Sequence, residues 1–319
     1  MAGDRGETGP LSLRLRVLNR VLRLVARPRL QATETPEEAD EDLARFARFL
    51  ARRPPYLLRL VSKGRPDIHW ITAGPVAPRG VILHFHGGAY IAGSPVTHAG
   101  MLGQISRLSG LRVAAPAFRL APAHRAPAQF EDALDAHARL LAIGYRPDEI
   151  ILGGDSSGGG IALALLAELC RRGQPPAGLY ALSPWVDLTL SGESLRRNAE
   201  RDPLLPVSRS EDARGYALGQ FPADDPRVSP LWAAFDAPPP VCLHVGTTEI
   251  LLDDSLRMAA HLRACGGTVC LREWPEAPHV LAMFDGYVPE ARKALEEVAH
   301  FIRALGGVRR AGGVSSVNR

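Results

Sequence analysis

A hydroxyl, an imidazole and a carboxylate, far apart along the chain, are the groups whose types and surroundings suit covalent chemistry. Ser156 is the centre of Gly154-Asp155-Ser156-Ser157-Gly158, which follows an apolar run and precedes Ile161 to Leu166 at helical spacing. A Gly-x-Ser-x-Gly run in that setting fits a tight strand-to-helix turn whose tip exposes one serine, with only small neighbours tolerated. Ser157, one step on, offers a backbone N–H and the positive end of a new helix to an oxygen that gains charge during acyl transfer. A plain glycine turn or a phosphate loop has a similar composition, but no Gly-Lys-Ser/Thr completes the latter.

A serine hydroxyl is a poor nucleophile until a base takes its proton, and the oxyanion it creates needs further donors. Upstream, a strand-like run ends in His86-Gly87-Gly88-Ala89. Small residues there let the backbone of Gly87, Gly88 and Ala89 approach a substrate closely. Ala89 keeps its N–H where a third glycine is usual. His86 precedes the donors and reads as a brace for their turn, with Asp155 a second supporting residue beside the serine.

Ten histidines are candidates for the base. His84 and His244 lie inside apolar strand runs and read as satisfied core residues. His98, His124 and His300 lie in helical or loop segments without an evident partner. His279, in "EWPEAPHVLAMF", follows the last predicted strand in a proline-flanked loop, from which it can reach Ser156 in the chain order Ser, acid, His. The acid must fix the imidazole tautomer. "HVGTTEILLDDS" offers Glu249, Asp253 and Asp254; Glu249 comes soonest after a strand, whereas the two aspartates open a helix and suit its N-terminus.

These groups need a scaffold. From about Asp67, strand-like runs ("IHWITAG", "GVILHFHGG", "LRVAAPAF", "EIILGGD", "GLYALSP", "PVCLHVG", "TVCLREW") alternate with helix-length segments. That alternation predicts an α/β fold with a largely parallel sheet covered by helices on both faces. It breaks at about 190–237, a charged and proline-rich stretch read as an insertion above the carboxyl ends of the strands, where open α/β sheets bind ligands. The expected organisation is N-terminal helices over 1–66, a catalytic domain over 67–305 and a tail without fixed structure over 306–319.

Near the N-terminus, Leu11, Leu15, Leu18, Leu22 and Val25 share one helical face, with Arg16, Arg20, Arg23 and Arg27 elsewhere. A basic helix lying on a membrane is one reading. Leu13, Val17 and Leu24 widen the apolar face, which favours a helix packed over its own domain. A second helix opens at Thr35-Pro36-Glu37-Glu38, a capped start.

Composition narrows the function classes. The 319 residues are 46% apolar and 23% charged, enough for a sizeable core. A net charge of +4 without aromatic–basic interleaving argues against a nucleic-acid partner. Cys170, Cys242, Cys265 and Cys270 lack metal-site spacing and read as inert thiols in a reducing compartment. No signal-type or membrane-spanning run is present in the sequence, so the expected address is cytoplasmic.

Taken together, His86-Gly87-Gly88-Ala89, "FRLAPAHRAPAQFEDA", Gly154 to Gly159, "SPWVDL", "EILLDDS" and Pro278-His279-Val280 resemble the bacterial hormone-sensitive-lipase-like esterases of the α/β-hydrolase superfamily. The resemblance covers about Gly80 to Phe301. It implies an eight-stranded, mostly parallel sheet under a helical cap built from the N-terminal helices and the insertion. It also implies a serine carboxylesterase with Ser156 as nucleophile, His279 as base, and oxyanion donors from Gly87, Gly88, Ala89 and Ser157. Where many members carry an aspartate for the acid, the aligned residue is Glu249; the tyrosine common before "RLAP" is Phe118. The expected substrate is a short- to medium-chain acyl ester, with lactone hydrolysis or deacetylation of a small natural product as alternatives and a non-catalytic receptor as a remote one. No cofactor or metal is called for. A homodimer through the last helix, about Pro289 to Leu305, is one expectation, although an ordinary packed helix fits the same pattern.

Overall fold

The computed structural model describes residues 11–47 and 52–307. Eight strands form one sheet: β1 (Leu57–Ser62), β2 (Asp67–Ala73), β3 (Val81–Phe85), β4 (Arg112–Ala117), β5 (Ile150–Asp155), β6 (Gly178–Leu182), β7 (Val241–Gly246) and β8 (Val269–Trp274), in the order β1-β2-β4-β3-β5-β6-β7-β8. β2 pairs antiparallel with both β1 and β4, and every other pairing is parallel. The central strands β3, β5, β6 and β7 are buried at every position, as continuous apolar runs covered on both faces must be.

Helices α1 (Leu13–Val21) and α2 (Arg27–Ala32) are joined without a break by a π-helical turn over Leu22–Ala26, and α3 (Pro36–Ala47) comes next. The rest are α4 (Ala99–Ser109), α5 (Ala128–Ala142), α6 (Ser157–Arg171), α7 (Ser194–Arg197), α8 (Val207–Leu218), α9 (Leu252–Ala264) and α10 (Pro289–Gly307). α5, α6 and α9 pack on one face of the sheet through residues such as Ala136, Leu163 and Met258. α4 and α10 pack on the other through Met101, Ile105, Leu295 and Val298. The apolar stripe of α10 is therefore spent on its own core.

Three expectations need correction. β1 lies inside 1–66, so the sheet begins ten residues earlier than the predicted catalytic domain. It is an edge strand, exposed along nearly its whole length, and lacks the alternation that marks a half-buried strand. At the other end α10 extends to Gly307, so the predicted tail starts helical; residues 308–319 lie outside the described residues. Cys270, read as inert, is exposed on edge strand β8. Hydrogen bonding to the Cys242 thiol holds its pKa down at about 7.

The N-terminal helix packs on its own domain through most of the face the sequence pattern marks, since Leu11, Leu15, Leu18 and Leu22 meet the core; Val25 and the residues expected to widen that face do not. Leu15, Asn19, Leu22 and Ala26 are buried, against Trp274, Leu281 and Phe284. Leu13, Val17, Leu24 and Val25 point outward, 75%, 54%, 68% and 60% exposed. The polar Asn19 turns inward because its side-chain amide donates to the Glu276 carbonyl at 2.7 Å, a contact outside the reach of a hydropathy pattern. Ser12 fixes the helix start, its Oγ accepting from Leu15 N at 3.1 Å and donating to Glu290 at 2.9 Å.

Candidate active site

Ser156 stands between the last residue of β5 and the first of α6 in a conformation, φ 53° and ψ −127°, that non-glycine residues rarely adopt. The turn is held by Ser156 N donating to Leu182 O and by Trp185 N and Gly160 N donating to Ser156 O. Its neighbours have no room for side chains. A Cβ on Gly154 would lie 2.3 Å from Gly158 O, and one on Gly158 2.2 Å from Phe85 O. The small residues of the motif are a steric requirement.

The second loop lies against this turn. Gly88, at φ +128°, would bring a Cβ to 1.9 Å from Ala92 O, and Ala89 comes next at φ 54°. The N–H groups of Gly88, Ala89 and Ser157 have no partner among the described residues and are open to an incoming oxygen. Gly87 does not share this property: its N–H donates to Asp155 Oδ2 at 3.1 Å. The expected oxyanion donor at Gly87 is thus corrected, because a buried carboxylate has already claimed it. Ser157 Oγ ties the loop to the turn by accepting from Tyr90 N at 3.3 Å.

Asp155 sits at the centre of this scaffold. One oxygen meets His84 Nε2 at 3.0 Å and the other meets His98 Nε2 at 3.2 Å. His84 continues to Tyr180 OH at 2.9 Å. Burial opposes the ionised carboxylate, yet the two histidines more than offset it and hold Asp155 well below the usual carboxylate range. His98, without an evident partner in the sequence, is therefore part of the scaffold. His86 braces its loop as expected, with Nδ1 2.8 Å from Gly87 O and its ring stacked on Phe118 at 4.2 Å. Burial lowers its pKa to about 3, so it stays neutral.

On the far side, His279 Nδ1 meets Glu249 Oε2 at 2.7 Å, and both residues are buried. Burial disfavours the imidazolium, but the hydrogen bond and charge of Glu249 outweigh it, and the pKa of His279 is raised above 6.5. The other Glu249 oxygen accepts from Ser183 Oγ at 2.7 Å and from Gly246 N. Ser183 Oγ in turn accepts from Val280 N at 3.0 Å, so one hydroxyl braces both the carboxylate and the loop of the imidazole. Sequence reasoning gave Ser183 no role, although it opens the "SPWVDL" run directly after β6. Asp253 and Asp254 turn away from the site and hold the 186–194 segment: Asp253 accepts from Ser194 N at 2.8 Å, and Asp254 from Val186 N at 2.9 Å and Asp187 N at 3.1 Å.

Ser156, His279, Gly88 and Ala89 line one cavity of about 260 Å³. With Nδ1 held by Glu249, His279 has Nε2 left for a proton. No hydrogen bond engages Ser156 Oγ among the described residues; catalytic contacts are often long before substrate binds and tighten with it. The remaining wall is mostly apolar and includes Leu22 and Leu30 of the N-terminal helix, Leu43 and Phe46 of α3 and its flank, and Ala213 of α8. A hydroxyl, a carboxylate-held imidazole and free amide donors around one apolar cavity can carry out acyl transfer.

Residues 82–283 match the family model described as alpha/beta hydrolase fold. An esterase of Acinetobacter venetianus is 36% identical over 227 residues, 70% of this chain and 75% of that protein. An acetyl-hydrolase of Streptomyces hygroscopicus is 33% identical over 252 residues, 78% of this chain and 83% of that one. A crystal structure of an esterase from the bacterial hormone-sensitive lipase family superposes with a TM-score of 0.86 at 33% identity, over 92% of this chain and 98% of that one. The fold and site define an α/β hydrolase. The chain belongs to that family, among its hormone-sensitive-lipase-like esterases, and is a carboxylic ester hydrolase.

Proposed function

We propose that the protein is a serine carboxylesterase working through Ser156, His279 and Glu249. The observation that carries this reading is the His279–Glu249 hydrogen bond at 2.7 Å on the rim of the cavity that also holds Ser156. His279 Nε2 takes the Ser156 proton as Oγ adds to the ester carbonyl. The oxyanion is received by the N–H groups of Gly88, Ala89 and Ser157. Return of the proton to the departing alcohol leaves an acyl-enzyme, which a water molecule, deprotonated by the same nitrogen, then hydrolyses. Glu249 keeps the proton on Nδ1 and stabilises the imidazolium.

The N-terminal helices and the 190–237 segment act as a cap, and the aliphatic character of their wall favours short- to medium-chain acyl groups over polar ones. The test is turnover of p-nitrophenyl butyrate by Ser156→Ala. A loss of several orders of magnitude in kcat with an unchanged melting temperature is expected. Near-original turnover would end the proposal.

A further inference from the structure

The buried side of the N-terminal helix is explained by the core beneath it; the apolar row on its outward side has no partner among the described residues. Leu13, Val17 and Val21 stand four residues apart, and Leu24 comes three later, so they form one stripe along the helix. They are 75%, 54%, 50% and 68% exposed, and Val25, 60% exposed, lies beside them. Isolated exposed aliphatics are ordinary on a protein surface, but a continuous row of them marks an interaction site.

Charge selects the occupant. At 100° per residue, Arg14 lies on one flank of the stripe and Arg16 and Arg20 on the other. None of these three side chains has a hydrogen bond or ion pair among the described residues. The sequence from Thr8 to Thr33 contains six arginines and no aspartate or glutamate. An aliphatic stripe between basic margins complements a surface that is apolar below and anionic above, which is the boundary of an anionic bilayer. A second copy of this chain suits it poorly, since a two-fold contact would bring basic margins together without an acidic residue of the helix to offset them. Docking also leaves the fold intact. The opposite side stays anchored by Leu15, Asn19, Leu22 and Ala26, and by Ser12 on Glu290.

We propose that the outward face of the helix over residues 13–32 docks the protein on anionic lipid bilayers. The same helix lines the cavity with Leu22, Ala26 and Leu30. Docking therefore places the cavity one helix away from the lipid–water boundary, where poorly soluble esters collect. That consequence rests on the esterase reading; binding itself does not.

The test is co-sedimentation of the full chain with vesicles of phosphatidylcholine containing about 30% phosphatidylglycerol, at roughly 0.1 M salt. Sedimentation involves no turnover, so a failed esterase reading leaves its outcome untouched. Binding is expected to be at least about tenfold tighter than to pure phosphatidylcholine and to weaken with added salt. Leu13→Glu/Val17→Glu/Leu24→Glu should abolish it while p-nitrophenyl butyrate hydrolysis stays within about twofold of the parent, since none of the three lines the cavity. Arg14→Gln/Arg20→Gln provides a milder variant, expected to weaken binding about fivefold per arginine. Three results would overturn the proposal: no sedimentation with anionic vesicles, equal binding by these variants and the parent, or a parent dimer that the glutamate variant converts to monomer without any vesicle binding.

Discussion

Replacing Glu249 with glutamine keeps shape and removes charge, and the hydrogen-bond pattern around the carboxylate dictates the consequence. Oε1 accepts from Ser183 Oγ and Gly246 N. The glutamine carbonyl must take that place, because an amide nitrogen there would face a backbone N–H with no acceptor. The NH₂ group is then directed at His279 Nδ1, where Oε2 had stood at 2.7 Å. It can only donate, so Nδ1 becomes the acceptor and the ring proton moves to Nε2, the nitrogen that must be bare to receive the serine proton. The imidazolium also loses its counter-charge. An aspartate-to-asparagine change with the same effect on tautomer in a serine protease lowers kcat about 10⁴-fold, or about 5.5 kcal/mol at 1.36 kcal/mol per decade. We expect Glu249→Gln to show a kcat loss of that order on p-nitrophenyl butyrate with little change in KM. Its melting temperature should stay close to the parent's, since Ser183 and Gly246 keep their acceptor. Activity within tenfold of the parent, in a variant confirmed by mass, would refute the reasoning.

The same network sets three further outcomes. His279 must be neutral to act, and its pKa is raised above 6.5, so kcat/KM should fall as pH drops through a midpoint above 6.5; a pH–rate profile of the parent reads it directly. Ser183→Ala removes the hydroxyl that bonds Glu249 and accepts from Val280 N; urea melts should show a loss of roughly 2 to 3 kcal/mol, with kcat falling more than KM changes. Gly88→Ala puts a Cβ 1.9 Å from Ala92 O, which forces the donor loop to move; kinetics should show kcat reduced by about 10² to 10³.

The legible parts of the site were those written in local runs. Gly154 and Gly158 must be small because backbone lies within 2.3 Å of where their Cβ atoms would stand, and such a demand leaves a motif in the sequence. The strands β3, β5, β6 and β7 were equally plain, since burial on both faces calls for unbroken apolar runs. What escaped depends on partners distant in the chain. Ser183 acts on Glu249 and Val280, and His98 on Asp155, across separations of 66, 97 and 57 residues. Gly87 looks like a free donor until the orientation of Asp155 is known. Asn19 is buried by a carbonyl 257 residues away, a contact that no hydropathy pattern signals. β1 lacked a signal because an exposed edge strand has no buried face to impose alternation.

The most direct measurement of the central claim is covalent labelling by a fluorophosphonate, which modifies only an activated serine. Peptide mapping after stoichiometric inactivation of the parent should place one adduct, on Ser156, formed far more slowly in His279→Ala and absent in Ser156→Ala. An active enzyme that takes up no label, or whose inactivating adduct maps to another residue, would contradict the account.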